Sequence, residues 1–161
     1  MKTYSGRKPE RYEIRDEIER IVKEKGIDRK RFYEYSKTEY QKVIRQFQFA
    51  FIEKSKIRDL DLNYCWVNFS DDLITSMPVS ENIGRRQMLD EIKKMMEYDW
   101  NHKLYLIMAE GWVYEGYIDE MIEVLEELDG MFVNDFYIVT PKFDQFACYC
   151  EDGESLTVSK K

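Results

Sequence analysis

Histidine is nearly absent from this chain: there is one, His102, in 161 residues. Motifs that set two histidines on one zinc, or on a pair of metals, are therefore excluded. His102 stands between Trp100 and Lys103 at the mouth of an apolar run and reads as a solvent-facing loop residue. Cysteine is almost as scarce, with three in all. Cys148-Tyr149-Cys150 sets two thiols on one face of a strand, but the spacing is not C-x-x-C and no second ligand pair exists to close a zinc site. A third ligand from Cys65 is conceivable if the strands adjoin; buried thiols acting as small hydrophobes are the simpler reading. An odd cysteine count with no apolar run behind Met1–Lys8 points to reduced thiols, no signal peptide and the cytoplasm. Nowhere do 18 apolar residues run together, so no helical membrane span is expected.

Glycine-rich phosphate loops are missing too. Gly111 and Gly116 flank an aromatic tetrapeptide, which is neither a P-loop nor a dinucleotide fingerprint. Serine and threonine occur without a nucleophile elbow. Neither metal, cofactor nor catalytic group is expected from these patterns. Basic residues vanish altogether between Lys103 and Lys142, where nine acids occur. The net charge of −7 divides unevenly along the chain. Residues 1–60 hold 17 Lys/Arg against 11 Asp/Glu (+6), and residues 61–161 hold 8 against 21 (−13). Such asymmetry speaks either of partners or of two halves that attract each other within one fold.

What is plentiful is aromatic: 12 Tyr, 9 Phe and 3 Trp. Large rings dominate core energetics, and they are also enriched at binding surfaces. The length fits a single domain over 1–161, with a basic helical part (1–58) before an acidic α+β part (59–161). In the first part, Pro9-Glu10 suits a helix start, Ile14, Ile18, Ile21 and Val22 recur at helical spacing, and Gly26 is a stop. That predicts a helix over about 10–25. Ser36-Lys37-Thr38-Glu39 has the form of a capping box, and Tyr40, Val43, Ile44, Phe47 and Phe51 follow as a helical stripe.

In the second part, residues 62–69 and 104–108 read as strands. Asp71-Asp72 and Met77-Pro78 read as breaks, and a helix is expected from about Ser80 through Met96. Residues 111–116 extend the second strand as a hairpin or run as a loop. A helix at 117–128 precedes strands at 136–139, 145–150 and 156–158, with Asp152-Gly153 as a type I′ turn signal. The expected architecture is α+β: a mixed, mostly antiparallel sheet of about five strands, helices on one face, and two N-terminal helices ahead of it.

The basic stretch Arg29-Lys30-Arg31-Phe32-Tyr33 is interleaved with acids in a negative protein, which argues against nucleic acid. The 117–128 helix is the candidate partner-binding feature. With its apolar stripe inward, Asp119, Glu120, Glu123 and Glu127 face outward, Glu126 lies at the flank and Glu115 lies just upstream. Like charges at i, i+4 repel by a few tenths of a kcal/mol per pair, roughly. A field kept at that cost suits a basic protein partner; the alternative is a bridge to the basic N-terminal helices.

Trp112-Val113-Tyr114-Glu115-Gly116, the acidic helix, and Asp135–Val139 with Lys142-Phe143-Asp144 resemble a family of small bacterial α+β proteins. That family carries a W-x-Y-E-G turn, an acidic helix and a Y-I-V-x-x-K-F/Y-D/E-W hairpin, and looks like immunity proteins of polymorphic or contact-dependent toxins. The resemblance covers about residues 105–155 and implies a non-enzymatic inhibitor whose partner is a basic toxin or nuclease. Where the family hairpin continues into Cys-Glu-Asn-His-His, this chain reads Cys150-Glu151-Asp152-Gly153-Glu154, so no histidine role carries over. Two other readings stand beside it: a bacterial or phage protein whose basic N-terminal helices contact another macromolecule, and a carboxylate-dependent enzyme.

Overall fold

The apolar stripes and runs become helices and strands in a computed structural model that describes residues 13–57, 62, 68–79, 84–128, 135–150 and 155–159. Helix α1 (Ile14–Lys25) buries Ile14, Ile18, Ile21 and Val22. Its first turn is closed by a reciprocal box. Glu13 accepts from the third-residue N–H, and Asp16 accepts the Glu13 N–H at 3.0 Å. It ends at Gly26 in the left-handed region (φ +62°), where Ile27 N–H returns to the Val22 carbonyl at 3.0 Å. Pro9 and Glu10, expected to open this helix, lie outside the described residues.

Strand β1 (Phe32–Glu34) follows, then α2 (Tyr40–Phe51). The expected box at Ser36–Glu39 is not formed. That stretch is a short 3₁₀ turn in which the Ser36 and Thr38 hydroxyls pair with each other at 2.9 Å. The chain continues through β2 (Ile74–Pro78), α3 (Arg85–Met95), β3 (Leu104–Met108), β4 (Val113–Gly116) and α4 (Ile118–Leu128). It closes with β5 (Phe136–Val139), β6 (Phe146–Cys150) and β7 (Ser155–Ser159).

The α+β class holds, but the sheet differs from expectation in three respects. Among the described residues it has seven strands in the order β1-β4-β3-β5-β6-β7-β2, not five: both edges, β1 and β2, are additional, and β4 is the strand alternative left open for residues 111–116. Every neighbouring pair is antiparallel, so the sheet is not mixed. Helices cover both faces, not one. Leu104, Leu106, Met108, Phe136, Ile138, Ala147 and Tyr149 pack toward α1, α3 and α4, whereas Ile107, Val113, Tyr137, Val139, Phe146 and Cys148 pack toward α2. Alternate residues point to opposite faces, so a strand covered on both sides must be apolar throughout. That is why 104–108 and 136–139 read as unbroken runs.

The strand expected at 62–69 falls mostly on residues outside the description. Leu62 is buried, and Phe69 forms a single bridge to Ile52. The β6–β7 hairpin is present in register Cys150↔Ser155, while its Asp152-Gly153 turn lies outside the described residues. The two expected N-terminal helices are there, on opposite faces of the sheet, and the segment between them supplies edge strand β1.

Candidate functional site

Helix α4 forms for the reason its spacing suggests. Ile118, Met121, Ile122, Leu125 and Leu128, with Val124, are buried along one side. Asp119 and Glu120 sit in the first turn, where negative charge is favoured by the helix dipole. Glu126 and Glu127 sit at the other end, where it is disfavoured, and no base on α4 relieves them.

Neighbouring elements supply the cations instead. Lys25, at the end of α1, reaches Glu127 at 2.9 Å, and Arg86, in the first turn of α3, reaches Glu126 at 3.1 Å. Arg31 pairs with Glu120 and lays its guanidinium 4.1 Å from the centre of the Tyr117 ring. The Arg31 backbone is held as tightly as its side chain. Its carbonyl accepts the Tyr117 N–H at 2.9 Å, and a Cβ on Gly116 would come within 2.2 Å of that oxygen. Glycine at 116 is what lets residues 28–31 dock against the start of α4. The hydrogen bond that Lys25 donates to Glu127 holds its ammonium above the ordinary lysine value, and the one that Arg31 donates to Glu120 does the same for its guanidinium.

Of the six residues proposed as a partner face, five lie on α4, and three of those are bridged within the molecule. Asp119 and Glu123 take part in no ion pair among the described residues, although they add to the negative field at Arg31 and Lys25. Glu115 does not join them. It lies on β4 between Tyr33 and Tyr105, on the sheet face that α2 occupies, and it accepts the Tyr33 hydroxyl proton. A shift of one residue along a strand reverses the face, so proximity in sequence to α4 placed Glu115 on the wrong side.

The surroundings of Glu115 are not visible in the linear sequence. Lys103 Nζ donates to Tyr33 Oη at 3.2 Å, Tyr35 meets Tyr105 edge-on at 5.4 Å, and Phe143 stacks on Tyr105 at 5.8 Å. Phe143 does so at φ +55°, a backbone conformation that costs a side-chain-bearing residue about 1–2 kcal/mol. All of these side chains are half-buried. The abundance of tyrosine was the available signal; their convergence required the strand register.

His102 is exposed and lies 3.2 Å from Asp99, beside a hollow of about 460 Å³ that also includes Tyr98, Thr140, Asp144 and Gln145. The polar groups there brace loops: Thr140 donates to Asp144 at 2.6 Å, and the Gln145 amide clamps the Glu97 backbone. Cys148 is buried toward α2, and Cys65 is outside the described residues. Among the described residues no three His, Cys, Asp or Glu come together as a metal site. Arg29, in the basic stretch, is bidentate to Glu19 at 2.7 and 3.1 Å. No described helix is long and apolar enough to cross a membrane.

The chain belongs to a family of unknown function, DUF6756, whose model matches residues 10–161 and so takes in the basic helices and the acidic part together. No curated protein and no solved structure matches it.

Proposed function

We propose that this protein is a non-enzymatic binding protein of the immunity type, docking the acidic side of α4 on a basic partner. The supporting observation is a charge count. Among the described residues, five carboxylates on α4 meet three cations, Lys25, Arg31 and Arg86, which leaves two negative charges unmatched there. Asp119 and Glu123 carry that excess. The bridges to Glu126 and Glu127 are solvent-facing, with carboxylate side chains 35% and 42% exposed. Pairs of that kind contribute about 0–1 kcal/mol and exchange readily for a better-placed partner cation. Long-range attraction of a basic surface would then speed encounter and fix its register.

The partner-face residues reduce on this reading to Asp119, Glu123, Glu126 and Glu127. Glu120 serves chiefly to hold Arg31, and Glu115 belongs to the other face. The decisive experiment captures a basic protein at low ionic strength and repeats the capture with Asp119→Lys/Glu123→Lys. Neither residue has an ion pair among the described residues, so folding is kept while each charge becomes repulsive. The double variant should bind at least about a hundredfold more weakly, since like charges across an interface cost several kcal/mol. Unchanged affinity would remove α4 from the interface.

One observation favours the second reading, a macromolecular contact through the basic N-terminal helices. The outward side of α2 carries Lys42 and Arg45 without an acid, and Phe49 there is 56% exposed with the Arg45 guanidinium 5.7 Å from its ring centre. A partner lost on Arg45→Glu/Phe49→Ser but kept on the α4 reversal would select it.

A further inference from the structure

Between α1 and the β1–β4 edge lies a hollow of about 290 Å³ that none of the preceding readings uses. At roughly 30 Å³ for a water-sized group, it has room for about ten non-hydrogen atoms. Its inner wall is Tyr114, directly across from Glu34 in the β1–β4 register, with its ring stacked on Phe32 at 5.2 Å and nearly parallel. Tyr114 is 3% exposed, and its hydroxyl has no hydrogen-bond partner among the described residues. A buried hydroxyl left unmatched costs about 1–3 kcal/mol, which makes this one conspicuous.

The groups around that hydroxyl define what it can receive. Glu34 accepts from Arg15 at 2.7 and 3.0 Å and from the Tyr40 hydroxyl, and Glu19 accepts twice from Arg29. A carboxylate offers about four lone-pair sites, so Glu34 keeps roughly one and Glu19 roughly two. With Asp16, three acids line the hollow against two arginines, for a net of −1. Burial first, and Glu34 second, hold the Tyr114 phenol well above the ordinary tyrosine value, so it stays protonated, with an oxygen able to accept. Ile18 and Val22 supply apolar wall opposite the rings.

We propose that this hollow binds a small organic ammonium ion, a primary amine on a short apolar body, with Tyr114 Oη and the free lone pairs of Glu19 and Glu34 accepting its protons. An anion would meet three carboxylates, and both arginines are already matched. The same chemistry is offered by a free alkylamine and by a lysine side chain, and the test separates them.

The probes are n-butylammonium chloride, the blocked peptide acetyl-Gly-Lys-Gly-amide and sodium butyrate. Each is titrated at constant ionic strength into the full chain and followed by amide NMR shifts. Saturable shifts at Ile18, Glu34 and Tyr114 with butylammonium, and none with butyrate, are expected. Saturation by butylammonium alone assigns a free amine; saturation by the peptide as well admits a lysine side chain. Tyr114→Phe keeps the stacked ring and should weaken binding about tenfold or more, the worth of one hydrogen bond to a charged group. Glu19→Gln, on an exposed side chain that leaves folding intact, should weaken it about threefold. Three results overturn the proposal: no saturation by either amine, saturation by butyrate in its place, or amine binding unchanged in both variants. Should Tyr114→Phe fail to fold, the Glu19→Gln and butyrate arms decide.

Discussion

The two sides of the sheet are built differently. On one side a single helix among the described residues, α2, seals an aromatic core in which Phe47 meets Phe51, Phe69, Tyr137 and Phe146. On the other, three helices share a core made mainly of Ile, Leu and Met, and their charged rims interlock through Lys25–Glu127 and Arg86–Glu126. One helix covering a wide face needs large side chains to reach it, whereas three helices fill the space with smaller ones. The difference also accounts for the lopsided charge of the sequence. The acidic helix stands where bases of α1, α3 and the 28–31 loop can meet it, while α2 on the far side keeps its positive charge exposed.

Emptying each core in turn should separate the two sides most strongly. Phe47→Ala should cost about 3–5 kcal/mol and Ile92→Ala, also fully buried but on the three-helix side, about 2–4 kcal/mol, read from denaturant midpoints. A loss below about 1 kcal/mol for Phe47→Ala would mean that α2 does not seal its face. Next comes the joint between the basic loop and the acidic helix. Gly116→Ala drives a methyl into the Arg31 carbonyl and the Phe32 Cα, and should cost about 1–3 kcal/mol through backbone displacement. Gly26→Ala meets open space and should cost about 1 kcal/mol, from its positive φ alone. Equal losses would show that the close approach at Gly116 relaxes freely.

The charged rim of α1 can be probed by acid. Burial pushes the Glu34 carboxyl up, but hydrogen bonds from Arg15 and Tyr40 outweigh it, and the net position is below the ordinary glutamate value. For Glu19 the hydrogen bond from Arg29 dominates in the same direction. A depressed carboxylate contributes stability above its unfolded value of about 4.3 and loses it as pH falls through the folded value. Thermal stability should therefore decline below about pH 4.5, with a shallower slope in Glu34→Gln. Identical slopes would detach Glu34 from the ion pair. The smallest effect belongs to the exposed side of α2. Phe49→Ala should move stability by no more than about 0.5 kcal/mol, and a larger drop would show that this ring is packed.

Much of the scaffold was legible because its signals are local. The stripe of α2 survived an incorrect cap assignment, since five buried positions at helical spacing outweigh one hydroxyl. Both edge strands escaped notice. Phe32–Glu34 is too short to show a period, and Ile74–Pro78 contains Met77-Pro78, which reads as a stop. Proline is tolerated there because an edge strand leaves one side of its backbone without a ladder. A single helical face is the expectation from element order, although the runs at 104–108 and 136–139 carry the signature of burial on both. The acidic helix was placed correctly to within a residue, yet its pairing partners lie tens of residues away in sequence, and no spacing rule reaches them.

Local pattern alone is enough to say which segments become helices, where the inner strands other than β4 run, and that the charge of the chain is split between its halves. Periodicity and charge are properties of neighbours along the chain, and they survive in any fold that buries the stripes. Only the tertiary structure decided that Lys25, Arg31 and Arg86 meet the α4 carboxylates, and that Glu115 turns to the opposite face. It alone closed α1 over the Tyr114 hydroxyl. Those outcomes depend on strand register and helix docking, in which a displacement of one residue reverses a side chain or moves a charge out of reach.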